Sequence, residues 1–444
     1  MNRSCILGVS RTHMSTYQGR AGLAALAALI VLTLAAFTLD YSLQRRFLKL
    51  GVLDQYNVIF DMDPPCRLSG VANGWCSGNR NFAHPNLANM FNPPVRAVSW
   101  VVAKILSRTD DVTIRRQLAL VIFASLSAVQ TALVFLIMQA LGFTRGQSFM
   151  ISALYVASFS QLIFGSVPEH FTFSSLAIAV GFLMMINMLR VRGGDTRVGW
   201  VALGVVATGI TITNIFPLSI LRFGSLFGIG HTFRSAALRT VTTGMAAVSI
   251  TFASAWALNH VYSGTEPAQD AKTFTQMYLA ENPLGRFKSF PTAMVNTLLS
   301  TRPDLRDNIP AIEHNHKYGF QFTFRNQSGI FSSNRVAGTF LFVACVVGTI
   351  LLIIRPGPTR MLGVAALGIV VYNWLFHSIW GAEQFLYAPH WLVALLILIS
   401  GIFQVPQRLL PVSWLVFVTI VGGVALTNYT NIQYMLSILE DVPD

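Results

Sequence analysis

Apolar residues in this chain come in continuous runs, not in alternation with polar ones. Runs near the ~20 residues that a helix needs to cross a hydrocarbon core recur at 21–39, 118–140, 147–164, 172–190, 240–259, 336–354, 361–378, 388–404 and 411–428. The segment 199–230 is too long for one span and contains TNIFP, whose Asn214 and Pro217 break a helix. Two shorter or re-entrant helices meeting there are predicted. The pattern predicts an all-α, polytopic transmembrane helical bundle of about 11 spans. A membrane β-barrel would show ~10-residue alternating segments, which these Leu-, Ala-, Val- and Gly-rich runs are not.

The polar stretches divide the chain. They predict a tail at 1–20, an N-terminal membrane region at 21–259 with a long loop at 40–117, a large second loop at 260–335, C-terminal helices at 336–428 and a tail at 429–444. Within the first loop, Val95, Val98, Val102, Ile105 and Leu106 recur at helical spacing while Arg96, Lys104 and Arg108 point elsewhere. That is the pattern of a helix lying on the membrane surface.

Charge sets the expected orientation. Arg3, Arg11 and Arg20 precede the first span, which keeps the N-terminus in the cytoplasm and puts the C-terminus outside. No small-x-small cleavage site follows LTLAAFTLDYS, so an uncleaved anchor is expected. The short inner loops then carry Arg145, Arg190, Arg192, Arg197, Arg234, Arg239, Arg355, Arg360 and Arg408, whereas the short outer loops at 165–171 and 379–387 carry no Lys or Arg. Arg222 is the exception. Of the acids, only Asp195 falls inside, so carboxylate chemistry belongs to the outer face. An integral membrane protein of the bacterial inner (plasma) membrane is the expected setting.

Composition narrows the partners. With 53% hydrophobic residues, mean hydropathy +0.56 and only 11% charged residues, the chain holds more apolar material than a soluble core needs. Its net charge of +13 is spread between spans, with no basic stripe or nucleic-acid motif. The lipid bilayer and its headgroups, not nucleic acid, are the partners this distribution fits. Cys66 and Cys76 both lie in the first outer loop, where an oxidising compartment would favour a disulfide.

Candidate chemistry centres on FDMDPPCRLSG, residues 60–70. Asp61 and Asp63 are candidate bases; Pro64 pushes Asp63 toward an extended backbone, so a loop could aim either one inward. The plain alternative is a solvated Asp-Pro turn. Glu169 has capping-box spacing from Ser166, which alone would explain it, and His170 stands beside it. His84 is a further possible metal ligand or proton carrier. FHSIWGAEQFLYAPHW places His377, Glu383, Tyr387 and His390 around a short outer turn, with Glu383 either an acceptor contact or an interfacial charge. Arg222 stands in an apolar stretch, where charges are costly enough to suggest function, unless it snorkels to an interface. Arg115 and Arg116 lie at the mouth of the second span.

From His84 to about Leu189 the chain resembles the N-terminal half of the GT-C glycosyltransferase superfamily, which includes protein O-mannosyltransferases and lipid A aminoarabinose transferases. The resemblance lies in the order FDMD, HPN with a later NPP, RAVSWVVAKIL, RRQ and FGSVPEHFTF, and in GITITNIFP, where many members have Lys in place of Asn214. His84-Pro85-Asn86 departs from the family's His-Pro-Pro. The resemblance implies an inverting transfer of sugar from a polyprenyl-phosphate donor to a lipid, glycan or protein acceptor at the outer face. It assigns a base to Asp61 or Asp63, with Asp61 preferred after the apolar run NVIF, and donor-phosphate contacts to Arg222, Arg115 or Arg116. Acceptor or metal contacts fall to Glu169, His170, His84 or Glu383, and a divalent cation is a possible cofactor. The alternatives are a lipid or small-molecule transporter or flippase, and a non-catalytic membrane assembly subunit.

Overall fold

The computed structural model describes residues 11–62, 64, 92–105, 111–190, 196–262, 279–307, 317–324, 335–381 and 383–442. The chain is an all-α, multi-pass membrane bundle. Its helices are α1 (Arg11–Lys49), α2 (Asn92–Ile105), α3 (Asp111–Ala140), α4 (Arg145–Ala157), α5 (Phe159–Ser166), α6 (Phe171–Arg190), α7 (Arg197–Ile210), α8 (Ile215–Gly228), α9 (Phe233–Tyr262), α10 (Pro283–Leu298), α11 (Arg335–Ile354), α12 (Pro358–Ile379), α13 (Pro389–Ser400) and α14 (Leu410–Glu440). Strands β1 (Asp304–Asp307) and β2 (Phe320–Thr323) pair antiparallel, Asp304 opposite Thr323.

Among the described residues, seven helices are long and apolar enough to cross a bilayer, α1, α3, α6, α9, α11, α12 and α14. The pair α4 and α5 makes an eighth if taken as one span, bent by 60°. The other three expected passes are the shorter apolar helices α7, α8 and α13. Helix α13 is buried along its whole length, as its all-round Leu, Ile and Val composition requires. Being walled by protein, it need not match the hydrocarbon thickness.

The first span runs past its expected end at residue 39, and α1 continues to Lys49. Leu43, Gln44 and Phe47 extend its buried face, and Gly51, at φ 80°, stops the chain beyond it. Asp40 is therefore a buried helical residue, not the first of an outer loop. Its carboxylate accepts from the Ser127 hydroxyl of α3 and from Gln161 Nε2 of α5 at 3.1 Å. Residues 147–164, expected as one span, break at Ser158, whose extended backbone starts α5 and whose hydroxyl accepts from Gln161 N at 3.3 Å. The TNIFP break is where it was expected. Helix α7 ends at Ile210, a single 3-10 turn covers Ile212–Asn214, and Pro217 sits in the first turn of α8, where a missing N–H costs nothing.

Beside these breaks and at the end of α5, side-chain amides donate to backbone carbonyls. Asn428 of α14 donates to Ala157 O at 2.8 Å, across the α4–α5 break. Asn214 donates to Ala207 O at 2.9 Å in the last turn of α7 and to Ser174 Oγ of α6 at 2.9 Å. Gln44 of α1 donates to Gly165 O, at the end of α5, at 2.8 Å. Asn428 is consequently fully buried, also accepting from Ser300 N at 2.9 Å. Its Asn-Tyr-Thr triplet has no exposed amide to modify.

Helix α2 forms as its periodicity predicts. It packs on α3 with Ser99 and Ala103 buried, while Val98, Trp100, Val101 and Ile105 are exposed.

The close contact of α1 and α5 gives a stability prediction. A Cβ on Gly165 would overlap the Asp40 carboxylate, so Gly165→Ala is expected to cost roughly 1–3 kcal/mol as overpacking. Thermal unfolding of the purified protein should show that loss shrinking in an Asp40→Ala background; equal loss in both backgrounds would contradict the contact.

Candidate active site at the acid-bearing end

The turn carrying Asp61 is built by its apolar neighbours. Val58, Ile59, Phe60 and Met62 are all buried, which leaves Asp61 half-buried at the rim. Asn57 N donates to Met62 O at 2.9 Å and Met62 N to Ile59 O at 3.0 Å, closing the turn tightly. The closure puts three non-glycine residues in the left-handed region, Asn57 at φ 59°, Phe60 at 48° and Asp61 at 58°. Asp and Asn tolerate this; a bulky Phe does so only under constraint.

The constraint is aromatic. The Phe60 ring lies 4.8 Å from Phe324, 4.8 Å from Phe385 and 5.8 Å from Phe159, with no exposure to solvent. Burying a Phe side chain contributes about 1.5–3 kcal/mol, and each aromatic pair about 0.5–1.5 kcal/mol more. Together these exceed the ~1–3 kcal/mol of a left-handed residue. Backbone bonds add to the hold: Phe60 N donates to Phe322 O at 3.0 Å and Phe322 N to Val58 O at 2.9 Å, joining the first loop to β2.

Glu383 completes this anchor from the other side. Its Oε2 accepts from Thr323 Oγ1 at 2.6 Å and its Oε1 from Phe324 N at 2.9 Å. Both oxygens are engaged and the residue is 2% exposed. Glu383 thus positions Phe324, and through it the Asp61 turn, and its burial makes it no interfacial charge.

A second acid stands at the turn between α5 and α6. Glu169 Oε1 accepts from His170 N at 2.7 Å and also meets His170 Nδ1. Both residues are buried. The capping-box explanation fails, because Ser166 closes α5 with its hydroxyl turned back to Leu162 O, and the first turn of α6 bonds to His170 O instead. The His170 ring lies 4.1 Å from Phe171, which is 5.4 Å from both Tyr387 and His390. His377 stacks on Tyr387 at 3.9 Å. The ends of α5, α6, α12 and α13 thereby gather Glu169, His170, His377, Tyr387 and His390. Phe385, against Phe60, also touches Phe164 at 5.8 Å, and Phe164 reaches Phe171 at 6.1 Å. One aromatic layer therefore underlies both the Asp61 turn and the histidine cluster.

Of the expected cations, Arg116 pairs with Asp54, just before the Asp61 turn, and Arg115 beside it is half-buried. Arg222 lies elsewhere. Its Nη1 is 3.5 Å from Met188 Sδ, and from His170 to Met188 α6 rises about 27 Å. Arg222 and the acids occupy opposite ends of the bundle. Arg286 of α10, which the sequence did not single out, donates to Gly381 O beside the histidine cluster. Asp63, Cys66, Cys76 and His84 lie outside the described residues. Among the described residues no group of three or more His, Cys, Asp or Glu side chains could hold a metal ion. Glu169 and His170 would need a further ligand to hold a cation.

No family model and no curated protein matches this sequence. Among solved structures, the oligosaccharyltransferase of Archaeoglobus fulgidus, crystallised with a tethered acceptor peptide containing the NVT sequon, is similar at 12% identity with a TM-score of 0.44. The alignment covers 93% of this chain and 55% of that one, so the chain spans about half the length of that enzyme. Similarity at this level leaves the chemistry to the residues themselves.

The role of Glu383 is testable. Glu383→Ala leaves Phe324 N and the Thr323 hydroxyl without this acceptor, an expected loss of about 1–3 kcal/mol. Hydrogen exchange should quicken at residues 320–324 and 58–62, with Glu383→Gln intermediate. Unchanged exchange in both segments would remove the positioning role.

Proposed function

We propose that this protein is a membrane glycosyltransferase of the GT-C type, moving a sugar from a polyprenyl-phosphate donor to a lipid, glycan or protein acceptor at the outer membrane face. The observation that carries this reading is the Asp61 turn, a rim carboxylate held in left-handed backbone by a buried Phe60 and joined through one aromatic layer to Glu169 and His170. Strained, over-determined backbone is a feature of functional sites. The charge rule supports the orientation, because the ends opposite the acids are joined by the arginine-bearing short loops.

The chemistry follows from the residues. Asp61 accepts the proton of an acceptor hydroxyl as its oxygen attacks the anomeric carbon. The new glycosidic bond forms on the face opposite the breaking bond to phosphate, giving inversion. Negative charge develops on the leaving phosphate, and a guanidinium stabilises it. Arg115 and Arg116 take that role, since Arg222 lies at the opposite end of the bundle. Glu169 and His170 bind the acceptor. Asp63 and His84 keep the base and acceptor roles that the sequence assigned them as alternatives, and a Cys66–Cys76 disulfide would tether the segment after the acids.

A second reading, a lipid or small-molecule transporter or flippase, draws on Asp40, an acid buried among spans and bonded to Ser127 and Gln161. Intramembrane acids often mark transport paths. The acids at the rim favour the transferase.

Purified protein given a polyprenyl-phosphate sugar separates the readings. Asp61→Asn, or Asp63→Asn if the neighbouring acid is the base, should lose transfer by about 100-fold or more, with Asp40→Asn retaining it within a few-fold. Full transfer by both rim variants would sink the proposed base. No transfer by wild type with any donor would favour transport or a non-catalytic role.

A further inference from the structure

Just inside the turn that carries Glu169 and His170, residues of α3, α4, α5, α6 and α13 enclose a cavity of about 10 Å³. Every residue that lines it is buried. Two of them, Tyr155 in the last turn of α4 and Ser160 in the first turn of α5, stand on either side of the break between those helices. Tyr155 is fully buried and Ser160 is 1% exposed, yet neither hydroxyl meets a hydrogen-bond partner among the described residues. A buried hydroxyl left unsatisfied is costly, and native interiors rarely keep one without an ordered water beside it. Here two share a single cavity.

The lining specifies what fits. Its polar members are Gln130, Tyr155, Ser160, Gln161, Thr172 and Ser175, none of them charged, so nothing there neutralises a cation or an anion. Gln130 Nε2 donates to Ser175 Oγ, and Gln161 Nε2 donates to Asp40 Oδ2 and Ser127 Oγ. These bonds use the amide nitrogens and leave the amide oxygens as acceptors. Around one space stand hydroxyls that donate and amide oxygens that accept, which is the complement of a small neutral molecule that does both. The volume admits only one such molecule, since a buried water needs about 10–15 Å³ and two to four polar partners. Phe164, Pro389 and Leu392 close the remaining wall.

We propose that this cavity binds a single water molecule, which bridges the Tyr155 and Ser160 hydroxyls across the α4–α5 break. The water accepts from both hydroxyls and donates to the amide oxygens of Gln130 and Gln161. It pins the 60° bend from which α5 leads to Glu169 and His170. Asn428 serves the backbone at this break, at Ala157 O, and the water serves the side chains. The site is separate from the proposed transfer chemistry and stands whether or not that chemistry is found.

Cryo-electron microscopy of the purified full chain in nanodiscs, at a resolution that shows ordered waters elsewhere in the map, tests this without any substitution. One density peak is expected, about 2.6–3.0 Å from both Tyr155 Oη and Ser160 Oγ. An empty cavity, a direct hydrogen bond between the two hydroxyls, or a peak with metal-like contacts of about 2.4 Å would overturn the site. Reversible unfolding in detergent gives a second measurement. Tyr155→Phe and Ser160→Ala each remove one arm of the bridge and should lower the folded-to-unfolded ratio about fivefold, with the double variant losing less than the product of the two. Losses that multiply in full would contradict a shared water. If a variant fails to fold, the wild-type map decides.

Discussion

Inside a bilayer no water is available to a freed backbone carbonyl, so a helix can break only where a side chain takes water's place. Among the described residues this chain breaks its helices twice within the bundle, and an amide meets a carbonyl beside each break, Asn428 at Ala157 and Asn214 at Ala207, as Gln44 does at Gly165 where α5 ends. An unsatisfied buried group would cost on the order of several kcal/mol in hydrocarbon. The amides therefore fix the architecture as firmly as the apolar packing does. They reach across helices, from α14 to α4 and from α1 to α5, so each break is also a crosslink.

The breaks are what place the chemistry. Because α5 is a short helix set at an angle to α4, its end turns at Glu169 and His170 while its Phe159 and Phe164 face the aromatic layer under Phe60. Glu383 and β2 close the other side of that layer. Two loops far apart in sequence, the first carrying Asp61 and the second carrying Phe322 and Phe324, are thus fastened to one floor. Arg116 and Arg286 join the acids and histidines at this end, whereas Arg222 lies about the length of α6 away.

Much of this was legible in the sequence. Continuous apolar runs gave the helical bundle, TNIFP gave the α7–α8 break, and the Val periodicity gave α2. What was not legible depends on partners distant in the chain. Asp40 read as the start of a loop because its stabilising contacts, Ser127 and Gln161, lie on other helices. Glu169 read equally as a cap or as an acceptor or metal contact, because spacing cannot show that α6 starts at Phe171. Arg222 read as a donor-phosphate ligand because the sequence marks an intramembrane charge without saying at which end it lies. Glu383 read as an acceptor contact or an interfacial charge, and only the strand it clamps explains its burial. The pair of consecutive left-handed residues at Phe60 and Asp61 has no sequence signal, since neither is glycine.

The proposed transfer requires Asp61 to face the outer compartment and to lie within reach of the bound donor phosphate. Substituting Asp61→Cys in a background in which Cys5, Cys66, Cys76 and Cys345 are replaced by Ser, and labelling intact cells with a membrane-impermeant maleimide, tests both halves of it. The account predicts labelling from outside without permeabilisation, and protection of the purified protein's thiol by saturating polyprenyl phosphate. Labelling only after permeabilisation, or a rate indifferent to the carrier, would contradict it.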